Sequence, residues 1–132
     1  MLNISEESLR LIMKIRKRGE LSSGVHSELS RLYGNRYSEA LRTVMEWGVI
    51  KIRFIPSLRV MWIVRGTRKD HLTIPLIYCS CEDFYLNVVV RRNVDMCHHL
   101  LAQAIAEALG RFKSVEMPDE LLAKFLREWL SP

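Results

Sequence analysis

Long hydrophobic runs are missing from this 132-residue chain. Uninterrupted apolar stretches such as Val88–Val90 last only a few residues, whereas a membrane-spanning helix needs about 20. No spanning segment is therefore expected. The opening MLNISEES has no basic flank ahead of an apolar stretch, so no secretory signal is read and the chain is expected to be intracellular, in the cytoplasm. Glycine (6) and proline (4) are too sparse for a collagen-like or low-complexity chain. There are only three cysteines, an odd number without a secretion signal, which argues against a disulfide framework. Glutamine occurs once, at Gln103, beside an abundance of arginine, a weak compositional sign of a thermophilic source.

What remains is ordinary globular composition, 48% hydrophobic and 27% charged. The length fits one domain that can build a core without disulfides. Net charge is +5, from 20 basic and 15 acidic residues. The excess sits in the first two-thirds of the chain, while residues 95–132 are slightly acidic. Such a balance suits a polyanionic partner without establishing one.

The period of the apolar residues predicts an α+β fold: N-terminal helices, an antiparallel sheet, then C-terminal helices. Ser5 with Glu6 and Glu7 opens a first helix that Gly19 closes. A short helix over Val25–Tyr33 and a third over Tyr37–Trp47 follow. Two alternating runs, Ile50–Phe54 and Leu58–Arg65, flank Pro56-Ser57 as a hairpin. A third strand is read over His71–Tyr78, with Pro75 confining it to an edge, and a fourth over Phe84–Arg91. Asp95 caps a helix over Met96–Leu109, and Pro118-Asp119 opens a last amphipathic helix to Leu130.

The cysteines carry the chemistry. Cys79-Ser80-Cys81 leaves a strand, and 15 residues later comes Cys97-His98-His99. Zn²⁺ takes four soft or borderline ligands in a tetrahedron, which three thiolates and one imidazole supply. Cys97 near a helix start would be favoured as thiolate by the helix dipole. The plain alternative is that the cysteines are small buried hydrophobes. His98 and His99 lie about 100° apart around a helix, so both cannot face one ion. Local signatures for catalysis are missing: no phosphate-cradling G-x-x-x-x-G-K-S/T or G-x-G-x-x-G occurs, and no deaminase H-x-E with P-C-x-x-C. Three thiolates and a histidine form a closed zinc site, so no enzyme is expected.

The pattern C-x-C…C-x-H resembles the SWIM zinc finger. Cys97-His98-His99-Leu100-Leu101-Ala102 also matches C-x-H-x-x-A, the extended form of the SWIM subunits of the Shu complex, and the segment from Cys79 to Tyr85 is similar to small archaeal SWIM proteins. The resemblance covers about residues 60–112. It implies that Cys79, Cys81, Cys97 and His99 hold one structural zinc per chain. It also implies association with paralogs of the RecA-type recombinase in homologous recombination. The chain then divides into a helical region 1–48, a SWIM zinc-finger domain 49–112 and an amphipathic C-terminal helix within 113–132.

Two surfaces are candidates for contact. Lys51, Arg53, Arg59, Arg65, Arg68 and Lys69, with Arg91 and Arg92, are expected to contact DNA phosphates with little sequence preference. Trp129 and Leu130 are the candidate partner-docking residues, for a recombinase-family protein or a second copy. The favoured function is a non-enzymatic zinc-binding adaptor between DNA and a recombinase-family protein, with no membrane and no small-molecule substrate. Two alternatives stand beside it. One is a winged-helix transcriptional regulator, in which the third helix (Arg36, Tyr37, Ser38, Glu39, Arg42) reads DNA and the hairpin is the wing. The other is a purely protein-binding module.

Overall fold

The fold is taken from a computed structural model that describes residues 4–130. Helix α1 (Glu6–Arg18) begins where the Ser5 hydroxyl accepts the Ser8 N–H (3.1 Å) and ends at Gly19, whose φ of 71° favours a residue without a Cβ. Helix α2 (Ser23–Tyr33) is capped in the same way by Ser22, and α3 (Asn35–Met45) follows directly after Gly34. After α3 the backbone turns through Trp47, in the left-handed region, into the buried Gly48. A Cβ on Gly48 would lie 2.8 Å from the Thr43 methyl, so only glycine lets the chain pass so close to the helix it has just left.

The sheet has five strands in the order β4-β3-β2-β1-β5. Strands β1 (Val49–Ile55) and β2 (Val60–Val64) form the expected hairpin. The expected third strand is two short ones: β3 (His71–Ile74) and β4 (Tyr78–Cys79) fold back on each other through a turn at Pro75. Strand β5 (Lys113–Pro118) was not foreseen. It runs parallel to β1, pairing Ile50 with Lys113 and Ile55 with Pro118, so the sheet is mixed rather than purely antiparallel. Its sequence, KSVEMP, is mostly exposed, and the alternation of Ser114-Val115-Glu116-Met117 is too short to announce a strand by itself.

The run from Phe84 to Val90, expected as a strand, is a single turn-and-a-half of π-helix. Its β-branched residues suggest extension, but Cys81 has already turned the chain away from β4. The Phe84 N–H points at the Cys81 sulfur (3.3 Å), and Asn87 reaches back to Asp83 (2.7 Å). Phe84 and Val88, four apart, face the core, and Val89 and Val90 face water.

Helix α4 (His98–Leu109) is the centre of the molecule, with His99 to Ala106 buried without interruption. It packs on α1, α3 and β2. Val49, Trp62 and Val64 on one face of the sheet close this main core. The other face carries a second, smaller core of Ile52, Phe54, Met61, Ile63 and Leu72. A short 3₁₀ turn (Asp119–Leu121) leads into helix α5 (Leu122–Leu130), which covers that second core with Leu122, Phe125, Leu126 and Trp129. The Ser57 hydroxyl at the hairpin tip donates to Asp119 (2.8 Å) and its N–H to the same carboxylate, fixing the start of this cover.

These layers bear on the winged-helix alternative. The hairpin has a strand on each side and apolar layers on both faces, so it does not project as a wing. On α3, Tyr37 is buried, Arg36 is bound to Asp83 and Arg42 is paired with Glu39.

Candidate metal centre

The site is built where the β4 end meets the α4 start. Cys79 closes β4, and Cys81 follows after one residue. Ser80 between them anchors the knuckle: its N–H donates to the Leu72 carbonyl (3.0 Å), and its hydroxyl accepts the Leu72 N–H (3.1 Å). Cys97 is the N-cap of α4 rather than a first-turn residue, and its sulfur accepts the Leu100 N–H (3.4 Å). Asp95, expected to cap this helix, instead accepts the Ser5 N–H (2.9 Å) and the Tyr33 hydroxyl (2.5 Å). The cap is thus made by a metal-binding sulfur, and Asp95 ties α1 and α2 to the loop before α4.

The ligand atoms of Cys79, Cys81, Cys97 and His99 all lie within 4.8 Å of one another. A zinc tetrahedron with bonds of about 2.3 Å has edges of roughly 3.8 Å, so small shifts suffice to close on an ion. All four residues are buried, at 6% exposure or less, and none of the cysteines is in a disulfide. Nδ1 of His99 is buried without a hydrogen-bond partner, a cost that coordination through that nitrogen would relieve. The donor set, the spacing and this orphaned nitrogen all fit zinc. The four residues form a buried tetrad suited to one zinc ion, and His99 rather than His98 is its histidine.

Local hydrogen bonds prepare the site. The backbone N–H groups of Phe84 and Leu100 point at the sulfurs of Cys81 and Cys97, which favours the thiolate form. Hydrogen bonds from Cys79 and then Cys97 hold Cys81 far below the usual thiol range, while the bond to Cys81 raises Cys79. With zinc bound, three thiolates and a neutral imidazole would leave one net negative charge. Arg36 sits beside it, and its guanidinium is held above its ordinary value first by Asp83 and more weakly by Cys97 and Cys81.

Sequence reasoning missed three supporting groups. Arg36 makes a two-pronged ion pair with Asp83 (both contacts 3.0 Å), clamping α3 to the residue two after Cys81. That pair holds the Asp83 carboxyl below its usual range. Asp83 is half-buried, while its neighbour Glu82 is exposed. His71, at the start of β3, packs its ring 4.2 Å from His99, while His98 lies 3.9 Å away on the other contact. Burial, then His99, lowers His71 to about 4, so it is neutral near pH 7. Ser80 is the third. None of these carries a sequence signal, because each depends on a partner that only the fold brings close. Ala102, one turn beyond His99, is fully buried.

The expected basic residues fall in four places. Lys51 and Arg53 share a sheet face with Trp62 and Val60, and Lys51 sits 5.7 Å over the Trp62 ring. Arg59 and Arg65 flank the two ends of β2 in the opposite register, so the four do not form one stripe. Arg68 and Lys69 lie in the β2–β3 loop, and Arg91 and Arg92 follow the π-helical segment; all four are exposed. Trp129 is half-buried against Phe125 (4.9 Å) in the second core, and Leu130 is half-exposed.

The fold and tetrad describe a small α+β zinc-binding domain with a closed Cys₃His site. The chain is similar to a protein of Dictyostelium discoideum described as zinc finger SWIM domain-containing protein 7 homolog. The two are 26% identical over 114 residues, covering 84% of this chain and 72% of that protein. No protein-family model and no solved structure matches the chain. No helix among the described residues is long and apolar enough to cross a membrane.

Proposed function

We infer that this chain is a non-enzymatic SWIM-type adaptor that joins DNA to a protein of the RecA-type recombinase family during homologous recombination and repair. The observation that carries the reading is the closed, buried tetrad Cys79, Cys81, Cys97 and His99 in a chain similar to a SWIM zinc-finger protein. The zinc is structural: four protein ligands leave no position for a reacting water. It pins the β4 knuckle to α4 and orders the surface around it. A site of reduced cysteines suits a reducing, intracellular compartment.

DNA contact is supported by the net charge of +5 and by exposed Arg53, Arg59, Arg65, Arg68, Lys69, Arg91 and Arg92. Their scatter over four places favours phosphate contacts along a length of backbone over reading of bases. The test measures binding of the zinc-loaded chain to unrelated single- and double-stranded oligonucleotides from about 50 to 200 mM salt, together with capture of a recombinase paralog from native extract. Affinity for any sequence that falls steeply with salt, plus that capture, is expected. No binding at the low-salt end would remove the DNA half of the reading.

A further inference from the structure

The C-terminal turns of α1 and the start of α2 border an open cleft of about 800 Å³. Lys14, Lys17 and Arg18 line it from α1, and Ser22, Ser23 and Gly24 line it from the start of α2. Arg10 stands one turn before Lys14 on the same side of the helix and is exposed. Cations therefore recur at 10, 14 and 18, about 6 Å apart along the axis. Among the described residues none of Arg10, Lys14, Lys17 and Arg18 is in an ion pair, whereas Arg31, Arg36 and Arg42 on the next two helices all are. The helix dipole accounts for cations in the last turn, Lys17 and Arg18, but not for Arg10 and Lys14 further back. One carboxylate, Glu28, lines the cleft against its three cations.

The opposite wall offers donors. Ser23 and Gly24 open α2, so their N–H groups have no acceptor within the helix. The Ser22 hydroxyl accepts the Val25 N–H (3.3 Å) and keeps its own proton to give. Gly24 is required by neither backbone nor packing: its φ is not left-handed, and a Cβ there would meet nothing within 4 Å. Glycine in a helix costs stability relative to alanine. What a bare backbone gives at this position is close approach of an anion to the N–H groups. Cations on one wall with N–H and hydroxyl donors on the other suit phosphate oxygens, and a row of cations over two turns suits a chain of phosphates. The lining is polar apart from Val25, which is buried, so an acidic protein segment would find no pocket for an anchor side chain.

We propose that the α1–α2 cleft is the chain's main DNA-contacting surface, holding successive backbone phosphates between Lys14, Lys17 and Arg18 and the start of α2. The proposal rests on the DNA half of the adaptor reading and gives it a place.

The zinc-loaded full chain is titrated with a single-stranded oligothymidylate and with a mixed-sequence duplex across a range of salt. Lys14→Ala/Arg18→Ala is compared with Lys113→Ala/Lys124→Ala, which removes the same charge from exposed positions on β5 and α5. The cleft pair should weaken binding about tenfold and flatten the slope of log affinity against log salt by about 1.4 on the single strand and about 1.8 on the duplex. The control pair should leave that slope unchanged. Gly24→Asp puts a carboxylate where the helix dipole favours one, so it should keep or raise the melting temperature while weakening DNA binding several-fold. A merely structural role for these residues predicts no loss of affinity. Three results would overturn the cleft and leave the adaptor reading standing: equal losses in the two pairs, full binding by Gly24→Asp, or displacement of the DNA by a polyglutamate peptide at matched charge. Binding of neither strand form by the unmodified chain would sink both.

Discussion

Cys97 serves two purposes from one position, capping α4 and contributing a sulfur to the tetrad. The substitutions Cys97→Ser and Cys97→Ala separate them. Both should lose zinc, measured as metal per chain. Serine keeps a capping oxygen, so Cys97→Ala should be the less stable of the two by about 1 kcal/mol in thermal melts. The residue scale also shows why one expected cap was misplaced. Asp95 has the right chemistry to start a helix, but Ser5 and Tyr33 compete for it across a long stretch of chain. Tyr33 and Tyr37 give a pH prediction. Burial raises both phenols, Tyr37 to about 12 and Tyr33 further still. A raised value in the folded state means stability is intact below the unfolded value of about 10 and is lost as pH climbs towards the folded ones. Denaturant midpoints should hold steady to about pH 10 and then fall. Tyr37→Phe should flatten the fall, and an unchanged slope in that variant would refute the assignment.

Among the elements, the segment after the knuckle shows the limit of local pattern. Val88-Val89-Val90 favours a strand by propensity, yet the chain there winds into a π-helix held by Asp83, Asn87 and the Cys81 sulfur. Arg36→Ala tests the clamp on that segment. The pair is about one-third exposed, so its loss should cost at most about 1 kcal/mol of stability. Zinc release to a chelator should nevertheless quicken several-fold, because the residues behind Cys81 lose their tie to α3. Helix α5 is the second case. Its amphipathic face was legible, but which surface it met was not. Trp129 packs on Phe125 over the second core. Trp129→Ala should therefore destabilise the fold by about 1–3 kcal/mol, below the range for a fully buried tryptophan. Trp47 is stacked by the Arg111 guanidinium (4.4 Å), which also donates to the α3 carbonyls of Val44 and Met45. Arg111 thus closes the C-terminal end of α3.

For the whole molecule, the α+β class and the four ligands were readable because short spacings encode them: period 3.6, period 2, and C-x-C…C-x-H. Contacts between distant stretches were not, since β5, His71 and the Arg36–Asp83 pair depend on the assembled fold. Metal linkage is a property at this scale. The melting temperature should rise with free zinc, by about 4 kcal/mol of stability at a thousandfold excess over the dissociation constant. It should drop with a chelator. It should also drop on acidification, as protons compete for the three sulfurs and the imidazole.

The parallel pairing of β1 with β5 joins residues 50–55 to residues 113–118. During synthesis, everything needed for the metal knot and the main core leaves the ribosome before the last strand does. Until that strand and α5 arrive, Ile52, Phe54, Met61, Ile63 and Leu72 form a bare apolar underside on an otherwise finished body. A chain truncated after residue 112 and released should therefore bind zinc at full strength while remaining a client for chaperones.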